Sequence, residues 1–122
     1  MATAEPRTTD WPRPKVLLRL TRHAFLDEQR EYLEKRFGVL TLVQHPHSVT
    51  KDDMLVLKER YQPDIVEVVL PVYLVNEAIR IFHPAPVVKA VMKREVLEGG
   101  RVSNTFSHYE VLKRVSVETE RL

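Results

Sequence analysis

Cysteine is absent from the 122 residues of this chain, which excludes disulfides, thiolate nucleophiles and zinc–thiolate sites. Glycine is scarce as well. The three glycines form no Gly-x-Gly pattern, so a dinucleotide-binding or Walker-type loop is not expected. Long hydrophobic runs are also missing, because the most apolar segment, Val68–Val75, is far shorter than a membrane span. Residues 1–10 contain no apolar targeting segment, so we expect a cytoplasmic protein without a membrane partner.

Neither sign of charge is in excess: 19 Lys and Arg face 17 Asp and Glu, for a net charge of +2. That balance argues against a protein that wraps long nucleic acid by charge alone. The chain is 43% apolar and 30% charged, as expected of one globular domain. We expect this domain to span residues 15–122 and to follow a flexible, proline-containing leader, residues 1–14. The isolated Trp11 in that leader is expected to pack on the body or on a partner.

Short apolar runs alternate with segments of helical periodicity. The pattern predicts three strand–helix pairs followed by two strands. The strands are Val16–Leu20, Val39–Val43, Ile65–Leu70, Val87–Leu97 and Phe106–Val117, and the helices are Phe25–Phe37, Lys51–Tyr61 and Val72–Phe82. Such alternation indicates an α/β fold, with helices packed on a mostly parallel sheet. No helix-length segment separates the last two strands, which suits an antiparallel hairpin.

The loop Thr21-Arg22-His23 follows the first strand and precedes the first helix. Ligands of open parallel sheets bind at the carboxyl ends of the strands. An arginine beside helix N–H groups suits a phosphate, and a histidine can transfer a proton near neutral pH. The alternative interpretation is a polar surface loop that caps the next helix.

The segment Leu70-Pro71-Val72-Tyr73 ends the third strand and opens the third helix. It would form a rigid wall against a base or ribose, with helix N–H groups available to phosphate. The alternative is simply a strand that ends at a proline. If this segment and the Arg22 loop share one pocket, the strand order should be 2-1-3, followed by the fourth strand.

Other polar groups are weaker candidates. His45 and His47 point the same way in extended chain, but no third ligand is evident and we expect no metal site. Ser107 and His108 lack a recognisable acid partner for a hydrolase triad. Lys89, with its basic neighbours, forms either a basic rim of the site or an ordinary solvated face.

The Thr21-Arg22-His23 loop, about fifty residues before Val69–Leu74, resembles the small stand-alone CRISPR-associated ring nucleases. The resemblance covers Lys15 to about Glu77. It implies a Rossmann-like three-layer fold and a homodimer. It also implies metal-independent and cofactor-free cleavage of cyclic oligoadenylate, most often the tetramer, by 2′-OH attack, which switches off type III CRISPR signalling. On this basis Arg22 and His23 are the expected catalytic residues. The expected ligand-binding residues are Thr21, Leu70, Pro71, Val72, Tyr73 and Lys89.

Two other classes of function remain open on the sequence. The chain would serve equally as a sensor that binds a cyclic nucleotide without cleaving it. It would also suit a small protein-binding regulator whose leader and Trp11 contact a partner.

Overall fold

The computed structural model describes residues 13–114, 116 and 118–122. Of the predicted leader, only Arg13 and Pro14 fall in this part, and both are exposed and outside any helix or strand. The prediction for Trp11 lies outside the described residues.

The described residues form five strands and three helices, in the predicted order. The strands are β1 (Lys15–Leu20), β2 (Leu40–Gln44), β3 (Ile65–Val68), β4 (Val87–Val96) and β5 (Val102–Val111), and the helices are α1 (Asp27–Phe37), α2 (Lys51–Tyr61) and α3 (Val72–Phe82). A short 3-10 turn, Glu98–Gly100, joins the last two strands. Among the described residues, none of the helices has the length and apolar character needed to cross a membrane.

The sheet has the order β2-β1-β3-β4-β5. The first three pairings are parallel and the β4–β5 pairing is antiparallel. The prediction of a mostly parallel, Rossmann-like α/β sheet that ends in an antiparallel hairpin is therefore confirmed. The strand order 2-1-3-4 is also confirmed, and it places the carboxyl ends of β1 and β3 side by side.

The domain has three layers, with the sheet between helices. Two helices cover one face of the sheet and one helix covers the other. Alternate residues of β1 and β3 point to opposite faces, because side chains along a strand alternate. Leu18 and Val66 pack against α2 and α3 in one apolar cluster. Leu17 and Ile65 pack against α1 in the other cluster, together with the buried ring of Tyr109.

The starts of the helices follow their capping residues. Thr50 Oγ1 accepts from the Asp53 N–H at 3.1 Å, and Asp53 Oδ2 accepts from the Thr50 N–H at 2.9 Å, which fixes the start of α2 as predicted. The predicted start of α1 at Phe25 is wrong by two residues. Leu26 is extended there, and its N–H donates to Gln29 Oε1, so the helix begins at Asp27.

The predicted bounds of β1, β2 and β4 differ from the observed ones by one residue, and those of β3 and β5 are wrong by more. β3 ends at Val68 and not at Leu70. β5 begins at Val102, four residues before the predicted start, because Gly99 and Gly100 both have a φ of +80° and turn the chain tightly enough for Val96 to face Val102. It ends at Val111, so the predicted continuation is wrong at residues 112–114 and 116, which belong to no strand, while residues 115 and 117 lie outside the described ones.

The β4–β5 hairpin extends beyond the rest of the sheet. β4 pairs with β3 only through Val87 and Val88. From Lys89 to Val96 it is paired with β5 alone, so its other edge faces none of the described strands. The hairpin therefore forms a wall beside the carboxyl ends of β1 and β3.

Candidate functional site

A cleft of about 570 Å³ lies at the carboxyl ends of β1 and β3. Three segments line it: the loop 21–23 after β1, residues 46–49 after β2, and residues 69–74 around the start of α3. These segments converge because β1 lies between β2 and β3 in the sheet. The volume is within the usual range of small-molecule sites.

The structure brings together six of the eight residues that the sequence analysis singled out. Those that line this cleft are Thr21, Arg22, His23, Leu70, Pro71 and Tyr73. Lys89 lines a neighbouring cavity instead, because it lies on β4 beyond its pairing with β3. Val72, the first residue of α3, is 59% exposed and lines neither cavity.

The cleft carries basic and neutral groups but no carboxylate. Arg22, His23 and His47 are the ionisable side chains of its lining apart from the tyrosine. The side chains of Arg22 and His23 are exposed. Thr21 differs, because it is buried and its Oγ1 accepts from the His23 N–H at 3.2 Å. Thr21 therefore shapes the loop, and Arg22 and His23 are left facing solvent. A cleft of this composition suits an anion.

The amino terminus of α3 opens on the same cleft. Pro71 is the N-cap, and it supplies no side-chain acceptor to the first turn. That turn contains no acidic residue. The first N–H groups of a helix lack intrahelical acceptors and carry a partial positive charge. They add to the attraction that Arg22 exerts on a negatively charged ligand.

Apolar groups are unusually exposed at this rim. The ring of Tyr73 is 77% exposed, and the side chain of Val69 is 61% exposed. Both line the cleft. An exposed aromatic ring beside an arginine is a surface on which a nucleobase can stack.

Beneath the loop lies a buried ion pair that the sequence analysis missed. Arg19 and Glu67 are 1% and 2% exposed. Arg19 Nε donates to Glu67 Oε1 at 2.8 Å, and Arg19 Nη2 donates to Glu67 Oε2 at 3.0 Å. Tyr109 Oη donates to the same Oε1 at 2.7 Å. Burial and the adjacent Glu67 carboxylate raise the pKa of the Tyr109 phenol, which therefore remains a donor.

This network holds the backbone of the loop. Arg19 Nη1 donates to the His23 carbonyl at 2.8 Å and to Gln44 Oε1 at 2.9 Å. Gln44 Nε2 in turn donates to the carbonyls of Thr21 and His23. Arg19, Gln44 and Glu67 are thus positioning residues, because they fix the backbone on which Arg22 and His23 stand.

The pair could have been predicted from the sequence. Arg19 and Glu67 are opposite charges inside two short apolar runs that were both predicted to be strands. The predicted strand order made those strands neighbours, and in the structure Arg19 is directly opposite Glu67. A charge within a covered strand needs a partner, so each residue pointed to the other.

The sequence also drew attention to the pair Ser107–His108 and to the pair His45–His47. On β5, Ser107 Oγ is 2.8 Å from His108 Nδ1, and His108 Nε2 is 3.2 Å from Glu110 Oε2. Glu110 is thus the acid partner that the sequence did not reveal, but none of the three residues lines a described cavity. The rings of His45 and His47 are 5.6 Å apart. Within the part of the chain that the structure describes, no three His, Cys, Asp or Glu residues are grouped to hold a metal ion.

No match to this chain was found among protein-family models, among curated proteins or among solved structures. The function is therefore inferred from the geometry of the cleft and from the residues that line it.

Proposed function

We propose that the chain is a ring nuclease that binds a cyclic oligoadenylate, cyclic tetra-adenylate in particular, and cleaves its phosphodiesters. One observation carries the proposal. The Thr21–His23 loop, the exposed Tyr73 ring and the uncapped start of α3 meet in a single cleft that contains no carboxylate. This set offers the Arg22 guanidinium and the helix N–H groups to phosphates, and an aromatic face to a base. Such an activity would remove the signal molecule of type III CRISPR antiviral defence.

The proposed reaction needs no outside water. A ribose 2′-OH attacks the adjacent phosphorus as it loses its proton, the P–O5′ bond breaks, and the leaving 5′-oxygen takes up a proton. The products are a 2′,3′-cyclic phosphate and a 5′-OH. Arg22 and the N–H groups of α3 stabilise the charge on the phosphoryl oxygens. His23 assists the proton transfer, and the network below the loop keeps both residues in position.

The ligand also explains the proposed homodimer. A cyclic tetra-adenylate can carry twofold symmetry, whereas one cleft of about 570 Å³ is open to solvent and presents one Arg22. An isologous pair of chains would place two equivalent Arg22 residues around one ring.

Liquid chromatography of cyclic tetra-adenylate incubated with the protein tests the proposal. We expect linear products with a 2′,3′-cyclic phosphate, in the presence of chelator as in its absence. Retention of the intact ring would point to a non-cleaving sensor. No interaction at all would overturn the proposal and leave a protein-binding regulator.

Substitutions at the loop locate the site. Arg22→Ala removes a charge-assisted contact worth about 1.5–3 kcal/mol, so affinity should fall by at least tenfold, with partial rescue by Arg22→Lys. His23→Ala should slow single-turnover cleavage by about 10²–10⁴-fold while binding persists. Arg36→Ala, at the exposed end of α1, is the matched control. Full cleavage and unchanged affinity in Arg22→Ala would refute the assignment of the cleft.

A further inference from the structure

A second cavity, of about 760 Å³, lies beside the Arg22 cleft. It occupies the corner between the carboxyl ends of β1 and β3 and the projecting hairpin. Its walls are mostly apolar and include Leu26, Leu70 and Met92. It exists because β4 continues past its last pairing with β3, so that the hairpin stands beside an otherwise open edge.

The two cavities are adjacent and share part of their lining. Four residues line both of them: Thr21, His23, Val69 and Leu70. One ligand can therefore place a charged part beside Arg22 and an uncharged part in the second cavity. The two cavities differ in chemistry, because the Arg22 cleft contains no carboxylate and presents an exposed guanidinium, whereas most residues that line the second cavity are apolar.

The polar groups of the second cavity differ in their availability. Arg19 and Glu67 line its base, but each is bonded to the other, and no buried side-chain nitrogen or oxygen of the described residues lacks a partner. They form a neutral, fixed surface. Asn104, on β5, is exposed and lines the cavity, and its side chain has no hydrogen-bond partner among the described residues. Its amide can donate and accept at the same time. Lys89 adds one cation on β4.

We propose that this second cavity is a nucleobase pocket in which the Asn104 amide selects adenine. The inference rests on the proposed function, which places the ribose and phosphate beside Arg22. Adenine presents a donor, the N6 amine, next to an acceptor, N7, and an asparagine amide pairs with both. Guanine presents two acceptors on the same edge, so one half of the amide would be left unpaired. Asn104 is then the specificity-determining residue of the site.

The test compares the affinities of wild type, Asn104→Ala and Thr105→Ala for cyclic tetra-adenylate and cyclic tetra-guanylate. Thr105 is the matched control because it is next to Asn104 on the same strand and is exposed like it, but lines neither cavity. We expect wild type and Thr105→Ala to prefer the adenylate ring, and Asn104→Ala to lose roughly 10- to 100-fold of that preference. Binding of the adenylate ring with the preference intact in Asn104→Ala would overturn the inference and leave the proposed function standing.

A second measurement separates the two proposals. Adenosine monophosphate is titrated into the protein while backbone amide shifts are followed by NMR. If wild type binds neither ring, the proposed function fails. The inference about the pocket still holds if the nucleotide shifts the amides of residues 90, 92 and 104 in wild type and leaves the amides at the same three positions unshifted in Asn104→Ala. Shifts at none of these amides would overturn it.

Discussion

The two faces of the central sheet differ in the polarity of the side chains that they bury. The face covered by α2 and α3 buries an entirely apolar cluster, with Leu18, Val66 and Phe82 among its members. The face covered by α1 buries apolar residues too, but it also contains the Arg19–Glu67 pair bonded to the Tyr109 hydroxyl. β1 and β3 contribute to both faces, so the difference is set residue by residue along the same strands.

This difference separates stability from positioning. Apolar burial stabilises the fold with little directional control. A buried ion pair is costly to desolvate and adds little net stability, but its hydrogen bonds have fixed directions. In this protein those bonds end on the backbone carbonyls of Thr21 and His23. The apolar face therefore holds the sheet together, and the polar face sets the geometry of the candidate site.

The largest expected effect comes from breaking the ion pair on one side. Glu67→Leu leaves the guanidinium of Arg19 buried without its carboxylate, so the free energy of unfolding should fall by about 3–5 kcal/mol. Urea unfolding measures this loss. A change below about 1 kcal/mol would show that the pair is accessible to water and would erase the contrast between the two faces.

The paired substitution Arg19→Met with Glu67→Leu is the sharper control. Removing both charges should restore the free energy of unfolding to within about 1 kcal/mol of wild type, or raise it. Affinity for cyclic tetra-adenylate should still fall, because the loop has lost the bond from Arg19 to the His23 carbonyl. A double variant with normal stability and normal affinity would contradict the positioning role.

On the apolar face, Leu18→Ala should reduce the free energy of unfolding by about 3 kcal/mol, since it removes a fully buried side chain and leaves a cavity. Unlike the paired substitution, it should leave ligand affinity unchanged under conditions where the variant is folded. Isothermal titration with cyclic tetra-adenylate checks this. A parallel loss of affinity would show that both faces position the site.

A smaller effect is expected at the hydroxyl of Tyr109. Tyr109→Phe removes one hydrogen bond to a carboxylate and should cost about 1.5 kcal/mol at neutral pH. In the folded chain the pKa of this phenol is raised above its ordinary value of 10.0. Its contribution is therefore fully present below that pH and is lost as pH rises beyond it, where the unfolded chain releases the proton. Thermal unfolding on the alkaline side should show a smaller decline in Tyr109→Phe than in wild type.

The smallest effect is expected at the surface, at the start of α2. Hydrogen bonds from the backbone and side chain of Thr50 lower the pKa of Asp53 below its ordinary value of 3.8. The contribution of Asp53 to stability is present above that value and is lost as pH falls through the lowered pKa. The apparent melting temperature of Asp53→Asn should therefore decline less than that of wild type on acidification. An equal decline of the melting temperature in the two proteins would show that the charge of Asp53 does not contribute to the stability of the α2 cap.

Much of the fold follows from local patterns in the sequence. α2 and α3 begin and end at the predicted residues, because Thr50 and Pro71 mark their starts. The strand order was predicted from the hypothesis that the Arg22 loop and Pro71 share one pocket, which requires β1 and β3 to be neighbours. The last strand was misplaced because the alternation of Val111, Lys113 and Val115 continues past the end of the pairing, whereas the start at Val102 depends on the turn at Gly99.

Only the exposed residues of the candidate site could be predicted from the sequence. Arg22 and His23 stand out because they follow an apolar strand. Lys89 lies outside their cleft because β4 pairs with β3 only through Val87 and Val88. The pattern within each strand does not specify this register. The interaction of Ser107, His108 and Glu110 depends on an irregularity in the β4–β5 register near Val91 and Met92. Such an irregularity alters which neighbouring side chains share a face.

The register between β1 and β3 has a consequence for the evolution of this sequence. Arg19 and Glu67 are directly opposite each other, and either one without the other would be a buried charge with no partner. The pair can therefore be lost in evolution by only two routes. One passes through a poorly folded single mutant, and the other through an intermediate in which a different residue supplies the lost charge. We expect the two positions to vary together among descendants of a common ancestor, with both charges kept or both exchanged for apolar residues.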